Sequence, residues 1–469
     1  MANSTELIEE KVPLKSRVSV SAADGFVFLL QNIIAGGALT YYFTEIRGLD
    51  PIYAAIVWLL FGIWNALNDP LFGWISDRTK SGLGRRRPYI RYLAPLFGMI
   101  FVLSWVNWPG TQTDQMAMFL QLLFLLFFFD IMYTAIATSL YIMPFEMAVS
   151  NKARSSIIIW KILFSTIGMV IPLILIPIII PGPGEDTSFF FTIMLIFGIF
   201  VGFFVFISTY FFEEKQYVKE EEQVPFFQSL KNTFKNKSFL VFEIISFTII
   251  YVQTALFMGV IYYFNEIEIS MLYTFLMLFV GIIIGLVIFI MKHESWGIKK
   301  CMQLMLAVFS ISCFLILFTG RILIPVMIGF LGMGIGFSGG VFLIPLMNGD
   351  VIDKDEEMTG LRREGMYAGV NSFITKPAIS IAQAVFLITI GYFGYVQGLE
   401  QGSQSTMAET GIIIAWMLFP AILLGICFIA MKWYPLVGAE WRETKAKLAK
   451  IHQQKEKEYL EKLGYKYVE

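Results

Sequence analysis

Five ionisable side chains interrupt runs of otherwise apolar sequence. Asp69, Asp130, Lys161, Glu243 and Lys376 each sit inside a stretch long enough to cross a bilayer. A charge at that depth costs about 2.5–3.5 kcal/mol on insertion scales, and it marks a pathway or a partner. Asp69 lies in "WNALNDPLFGWISDRTKSGLGRRRPYI", Trp64 to Ile90. Asn65 is one turn earlier on the same helical face, and Asn68 is adjacent in sequence. Carboxylate and amide oxygens are hard ligands of the type that a small cation takes. Asp130, Thr134 and Thr138 form a second polar stripe at i, i+4, i+8, although threonines so placed also bond back to their own helix. Lys376 follows "GVNSFIT" and precedes Pro377. One lysine and a few acids on different helices can neutralise one another in a central cavity, which is coupling chemistry rather than catalysis. Lys161 and Glu243 are close enough to the cytoplasmic ends of their helices to snorkel. Asp24, near the start of the first apolar run, is ambiguous.

Enzyme chemistry finds no support. The two histidines, His293 and His452, fall in a loop and the tail, and no zinc spacing, phosphate-cradling loop or nucleophile elbow is present. "GMGIGFSGG", Gly332 to Gly340, lies within an apolar run and reads as close helix packing. Cys301, Cys313 and Cys427 read as small buried hydrophobes. The expectation is a non-enzyme with no cofactor and no metal beyond a small cation at Asp69.

The elements that position these residues follow from composition. The chain of 469 residues is 57% hydrophobic and 15% charged, with mean hydropathy +0.69. A soluble domain carries about 25% charged residues. The excess predicts an all-α membrane protein, because strands of a membrane barrel would alternate over about ten residues. Twelve spans are expected, near 22–43, 51–74, 90–108, 116–144, 156–181, 188–212, 239–263, 270–291, 299–319, 322–347, 365–393 and 410–432. Of the 35 Lys and Arg, 31 then fall in the loops and at the span ends of one side, Arg47 and Arg321 on the other, and Lys161 and Lys376 within spans. That asymmetry places both termini in the cytoplasm. The domain reading is a cytoplasmic N-terminus (1–21), a six-helix bundle (22–212), a central cytoplasmic loop (213–238), a second bundle (239–432) and a tail helix (433–469). The polar first twenty residues predict no cleavable signal peptide. A net charge of −1 gives no bias toward nucleic acid.

Loops 2–3 and 10–11 occupy equivalent places in the two halves. Their arginines (Arg85, Arg86, Arg87; Arg362, Arg363) and acids (Asp77; Asp350, Asp353) are candidates for a cytoplasmic gate. Topological anchoring explains the arginines equally well. The charged tail, apolar at Leu448, Ile451, Leu460 and Leu463, reads as a solvated surface helix.

"WNALNDPLFGWISDRTKSGLGRRRPY" and "NGDVIDKDEEMTGLRREGMYAGVNSFITK", Asn348 to Lys376, resemble signatures of the glycoside–pentoside–hexuronide:cation symporters. These form the melibiose-permease group of the major facilitator superfamily. The resemblance runs from "YYFTEIRGL" to "YPLVGAEWRE". It implies the major-facilitator fold, multi-pass residence in the cell membrane and uptake of a sugar or glycoside driven by sodium or protons. By motif match the cation residues are Asn65, Asn68, Asp69 and Thr134, and the coupling lysine is Lys376. Asn65 replaces the first of two family acids, which leaves sodium, a proton and no coupling all open. The galactoside acid of helix 1 falls near Phe28 or Leu29, and that of helix 4 near Ala137. The stacking aromatic of helix 4 is Tyr141, and the tryptophan of helix 10 becomes Val341. A different polar set, from Gln31, Asn32, Asp130, Thr138 and Tyr141, is expected to meet the solute. The partners expected are a small solute and membrane lipid, with the protein a monomer. A lysolipid or other organic-solute carrier, and a transport-dead sensor, are the alternative readings.

Overall fold

In lipid every backbone N–H must bond within its own segment, so the apolar runs have helix as their solution. The computed structural model describes residues 9–79, 81–110, 114–214, 236–360 and 364–467. The regular elements there are all helical. Helix α1 (Leu14–Ala35) is extended by α2 (Ala38–Tyr41) and a π-helical turn, Tyr42–Ile46. Then follow α3 (Pro51–Asp77), α4 (Arg87–Leu103), α5 (Gln115–Met147), α6 (Asn151–Ile179) and α7 (Ser188–Ser208). After the central segment come α8 (Lys237–Glu266), α9 (Met271–Trp296), α10 (Ile298–Thr319) and α11 (Leu323–Thr359). The chain closes with α12 (Glu364–Thr375), α13 (Pro377–Tyr392), α14 (Thr406–Ala430) and the tail helix α15 (Gly438–Lys462).

Side-chain caps fix where several helices begin. Asp50, Asp114, Ser150, Asn236 and Ser405 each accept a backbone N–H of the first turn. Eleven segments are long and apolar enough to cross a membrane, with α12 and α13 forming one of them. The remaining expected span is α4, which has 17 residues. Helix α11 departs most from its expected bounds. It runs 37 residues and carries Asp350 and Asp353 on helix rather than in a loop.

Helices α1 and α3–α7 pack among themselves, as do α8–α14; α3 meets α12 and α13 across the middle, and α8 meets α2 and α6. Small residues let backbones close up. A Cβ on Gly168 of α6 would lie 2.3 Å from the Gly25 carbonyl oxygen of α1. A Cβ on Gly334 would lie 2.1 Å from the Leu278 carbonyl oxygen, so the glycine-rich run is a packing surface for α9.

Two like segments, one from each half, face each other. "YYFTEI" begins at Tyr41 and "YYFNEI" at Tyr262. The Tyr41 and Tyr262 rings meet edge to face at 5.1 Å. Asn265 donates to the Tyr41 hydroxyl at 2.9 Å, and Thr44 and the Tyr262 hydroxyl share a bond of 2.9 Å. The glutamates of the two segments, Glu45 and Glu266, accept the Gly398 and Gly402 N–H groups of one loop.

The tail helix is not simply solvated. Trp441, Leu448 and Leu460 are buried, while Ile451 is exposed. Lys445 pairs with Asp350 at 2.5 Å and His452 with Glu356 at 2.7 Å, both on α11. Further along, Glu456 accepts the backbone and side-chain N–H groups of Asn151, each at 2.7 Å. Helix α15 therefore ties α11 of the second half to the start of α6 in the first.

Candidate cation and substrate site

Asp69 is the centre of the site. Its Oδ1 is paired with the Lys376 ammonium and accepts the Thr134 hydroxyl at 3.2 Å. Its Oδ2 accepts the Ser372 hydroxyl at 2.6 Å. Lys376 also donates to Thr134 Oγ1 at 3.4 Å. Three segments converge: α3 brings the acid, α5 the threonine, and the α12–α13 joint the serine and lysine. The joint exists because Pro377 has no N–H to give and crowds the preceding turn. Ser372 and Lys376 are one turn apart and share a face.

The other expected cation residues divide. Asn68 turns to α5, donating to Asp130 Oδ2 at 2.8 Å and to its carbonyl at 3.2 Å. Asp130 is buried, and the Asn68 amide is the hydrogen-bond donor that reaches its carboxyl group. Asn65 is buried with its side-chain oxygen unbonded. A buried amide oxygen without a donor is costly, and it faces the side of α3 that carries Asp69.

A second charged pair lies in the first half. Lys161 Nζ is 3.1 Å from Asp24 Oδ1 and donates to the Leu140 carbonyl at 3.1 Å. Ser165 donates to the other Asp24 oxygen at 3.4 Å. The Lys161 ammonium stands 5.6 Å from the centre of the Tyr141 ring, within cation–π range. Lys161 therefore pairs rather than snorkels, because α1 presents an acid at its depth. Among the expected solute residues, Tyr141 is 59% exposed. Gln31 keeps a buried, unbonded side-chain oxygen. Thr138 is half-buried and bonds to nothing among the described residues. Asn32 is drawn elsewhere: its amide goes to the Phe28 and Gly168 carbonyls at 3.0 and 3.4 Å, serving the α1–α6 contact.

These charged pairs between helices suit a carrier. A match to the family described as MFS/sugar transport protein covers residues 23–438. The chain belongs to that family. Over 441 residues it is 25% identical to the isoprimeverose transporter of Lactiplantibacillus pentosus, spanning 90% of this chain and 89% of that one. It is 24% identical over 441 residues to the uncharacterized symporter YnaJ of Bacillus subtilis (strain 168), spanning 91% and 93%. The solved D-xylose-proton symporter superposes with a TM-score of 0.63 over 90% of this chain and 98% of that one, at 14% identity. This MFS/sugar transport protein is a multi-pass membrane transporter and not an enzyme.

Among the described contacts of the transporter, Arg85, Arg86 and Arg87 each find a partner within their own half. Arg85 pairs with Glu146 of its own half at 3.2 Å. Arg86 donates to Ser76, and Arg87 to the Thr209 carbonyl at 2.7 Å. The backbone N–H groups of Arg85, Arg86 and Arg87 converge on the Glu214 carboxylate. That is an anion nest at the start of α4, and it welds α4 to the end of α7. Asp350 is claimed by Lys445 and Trp441 of the tail. The Asp77 side chain, Arg362 and Arg363 lie outside the described residues. The sequence reading missed Ser372, which its one-turn spacing from Lys376 would have shown. It also left Asp24 and Lys161 unpaired, since nothing local in sequence joins α1 to α6.

Proposed function

We propose that this transporter is a cation-coupled symporter of a sugar or glycoside, working by alternating access. The observation that carries this is the Lys376 ammonium seated on Asp69 in contact with Thr134, beside the unbonded Asn65 oxygen. A sodium ion or a proton arriving at Asp69 takes over the work of the ammonium. Lys376 is then released, and the grip of α12 and α13 on α3 loosens. Gradient energy enters only as the difference in cation affinity between the outward and inward states. The solute is expected between the halves, near Tyr141, Gln31 and the Asp24–Lys161 pair. Twelve spans, cytoplasmic termini, the plasma membrane and a monomer complete the reading. The family's description and the relative named as an isoprimeverose transporter support a glycoside, so isoprimeverose is the first solute to test. Purified protein in liposomes should accumulate it under an imposed sodium or proton gradient, and Asp69→Asn should abolish accumulation. Uptake that ignores both gradients, or that survives Asp69→Asn unchanged, overturns the reading.

A further inference from the structure

Glu243 of α8 is a buried carboxyl group with no basic side chain beside it among the described residues. It is 5% exposed and lies within a membrane-crossing helix. Among the described residues of the elements packed on α8, Asn371 of α12 is the one whose side chain hydrogen-bonds to it. Helices α2, α6, α11, α13 and α14 bring no charged group to it among the described residues. With the amide nitrogen turned toward Glu243, Asn371 stands 3.2 and 3.3 Å from the two carboxyl oxygens and 3.0 Å from Ser246 Oγ. An amide does not neutralise a charge, so an ionised Glu243 would be a lone anion in low dielectric. A carboxyl so placed has one inexpensive remedy, which is to take a proton.

We propose that Glu243 is a proton-binding site of the second half and that Asn371 registers its occupancy for α12. The geometry suits both states. Ionised, the carboxylate accepts from the Asn371 amide nitrogen. Protonated, it has an O–H to give, and the same amide rotated half a turn offers its oxygen. Asn371 immediately precedes Ser372, which holds Asp69, and Lys376 follows one turn later. A proton arriving at Glu243 from the bulk thus changes the hydrogen bond on one side of the segment whose other side grips the cation site. The proton site itself stands apart from the symport reading, whereas its link to Asp69 rests on that reading.

The test is infrared difference spectroscopy of the full-length protein in lipid, stepped between acid and alkaline pH. A carboxylic-acid C=O band that titrates in the native protein, vanishes in Glu243→Gln and persists in Asp69→Asn is the expected result. Asn371→Leu should move the midpoint of that band without removing it. Carbodiimide labelling of the native protein, located by peptide mass spectrometry, gives the same answer without any variant. Glu243 should be modified at neutral pH and spared at alkaline pH. No titrating band, a band unchanged in Glu243→Gln, or Glu243 unmodified at every pH overturns the proposal. For the link, equilibrium solute exchange should lose its pH dependence in Glu243→Gln. If gradient-driven uptake fails altogether while the band titrates, the symport reading has failed and the proton site stands.

Discussion

At the scale of single residues, the proposed coupling is a competition for Asp69 between the Lys376 ammonium and a cation. With Lys376 removed, a cation no longer displaces an internal ammonium. Lys376→Ala should therefore tighten cation binding by about tenfold, or about 1.4 kcal/mol, while accumulation of solute is lost. Cation-dependent thermal stabilisation, measured beside gradient-driven uptake, checks both parts. Asn65→Asp restores a second acid to the same face of α3. It should lower the melting temperature without sodium and raise it with sodium, because two close carboxylates need a shared cation. Most of this site was legible in the sequence. Asp69, Asp130 and Lys376 stand out because a charge in an apolar run is costly whatever surrounds it. Their partners were less visible. Asn68 faces Asp130 rather than Asp69, and Lys161 meets Asp24, because contacts between helices are set by packing that no local spacing encodes.

At the scale of elements, backbone approach and the tail carry the checkable claims. Gly168→Ala puts a methyl group on the Gly25 carbonyl and pushes α1 from α6. Overpacking of this kind costs about 1–3 kcal/mol, seen as a lower melting temperature in detergent. The tail helix was legible as a helix but not as a staple. Its charges suggested solvation, yet Asp350 and Glu356 on the overlong α11 turn Lys445 and His452 into anchors. Lys445→Ala leaves Asp350 buried with only the Trp441 N–H as partner. The expected outcome is faster protease cleavage within α15, with the membrane helices left intact. The arginine burst reads as a cytoplasmic marker. Its actual partner, Glu214, sits at the far end of the half-bundle in sequence, and only the fold brings it to α4.

At the scale of the whole molecule, the span pattern gave the fold class directly, since hydropathy and charge asymmetry act along the chain without needing tertiary detail. What the pattern did not contain is how the halves meet. One seam between them is held by Tyr41, Thr44, Tyr262 and Asn265. In the proposed topology this is the outer face, and opening outward breaks it. Thr44→Cys with Tyr262→Cys should cross-link under mild oxidation, stop transport and release it again on reduction. Cys301, Cys313 and Cys427 are buried, so they give little background. Failure of the cross-link to slow transport would show that the seam does not part during the cycle.

That seam is, in effect, a homodimer contact folded into one chain. Corresponding residues of two related segments exchange bonds about a pseudo-two-fold axis, as in an isologous interface. Each bond therefore has a twin that can hold the face shut while the first is altered. Redundancy of this kind gives a sequence room to drift. Thr44 and Asn265 occupy the same place in their segments and already differ, yet both still reach a tyrosine hydroxyl.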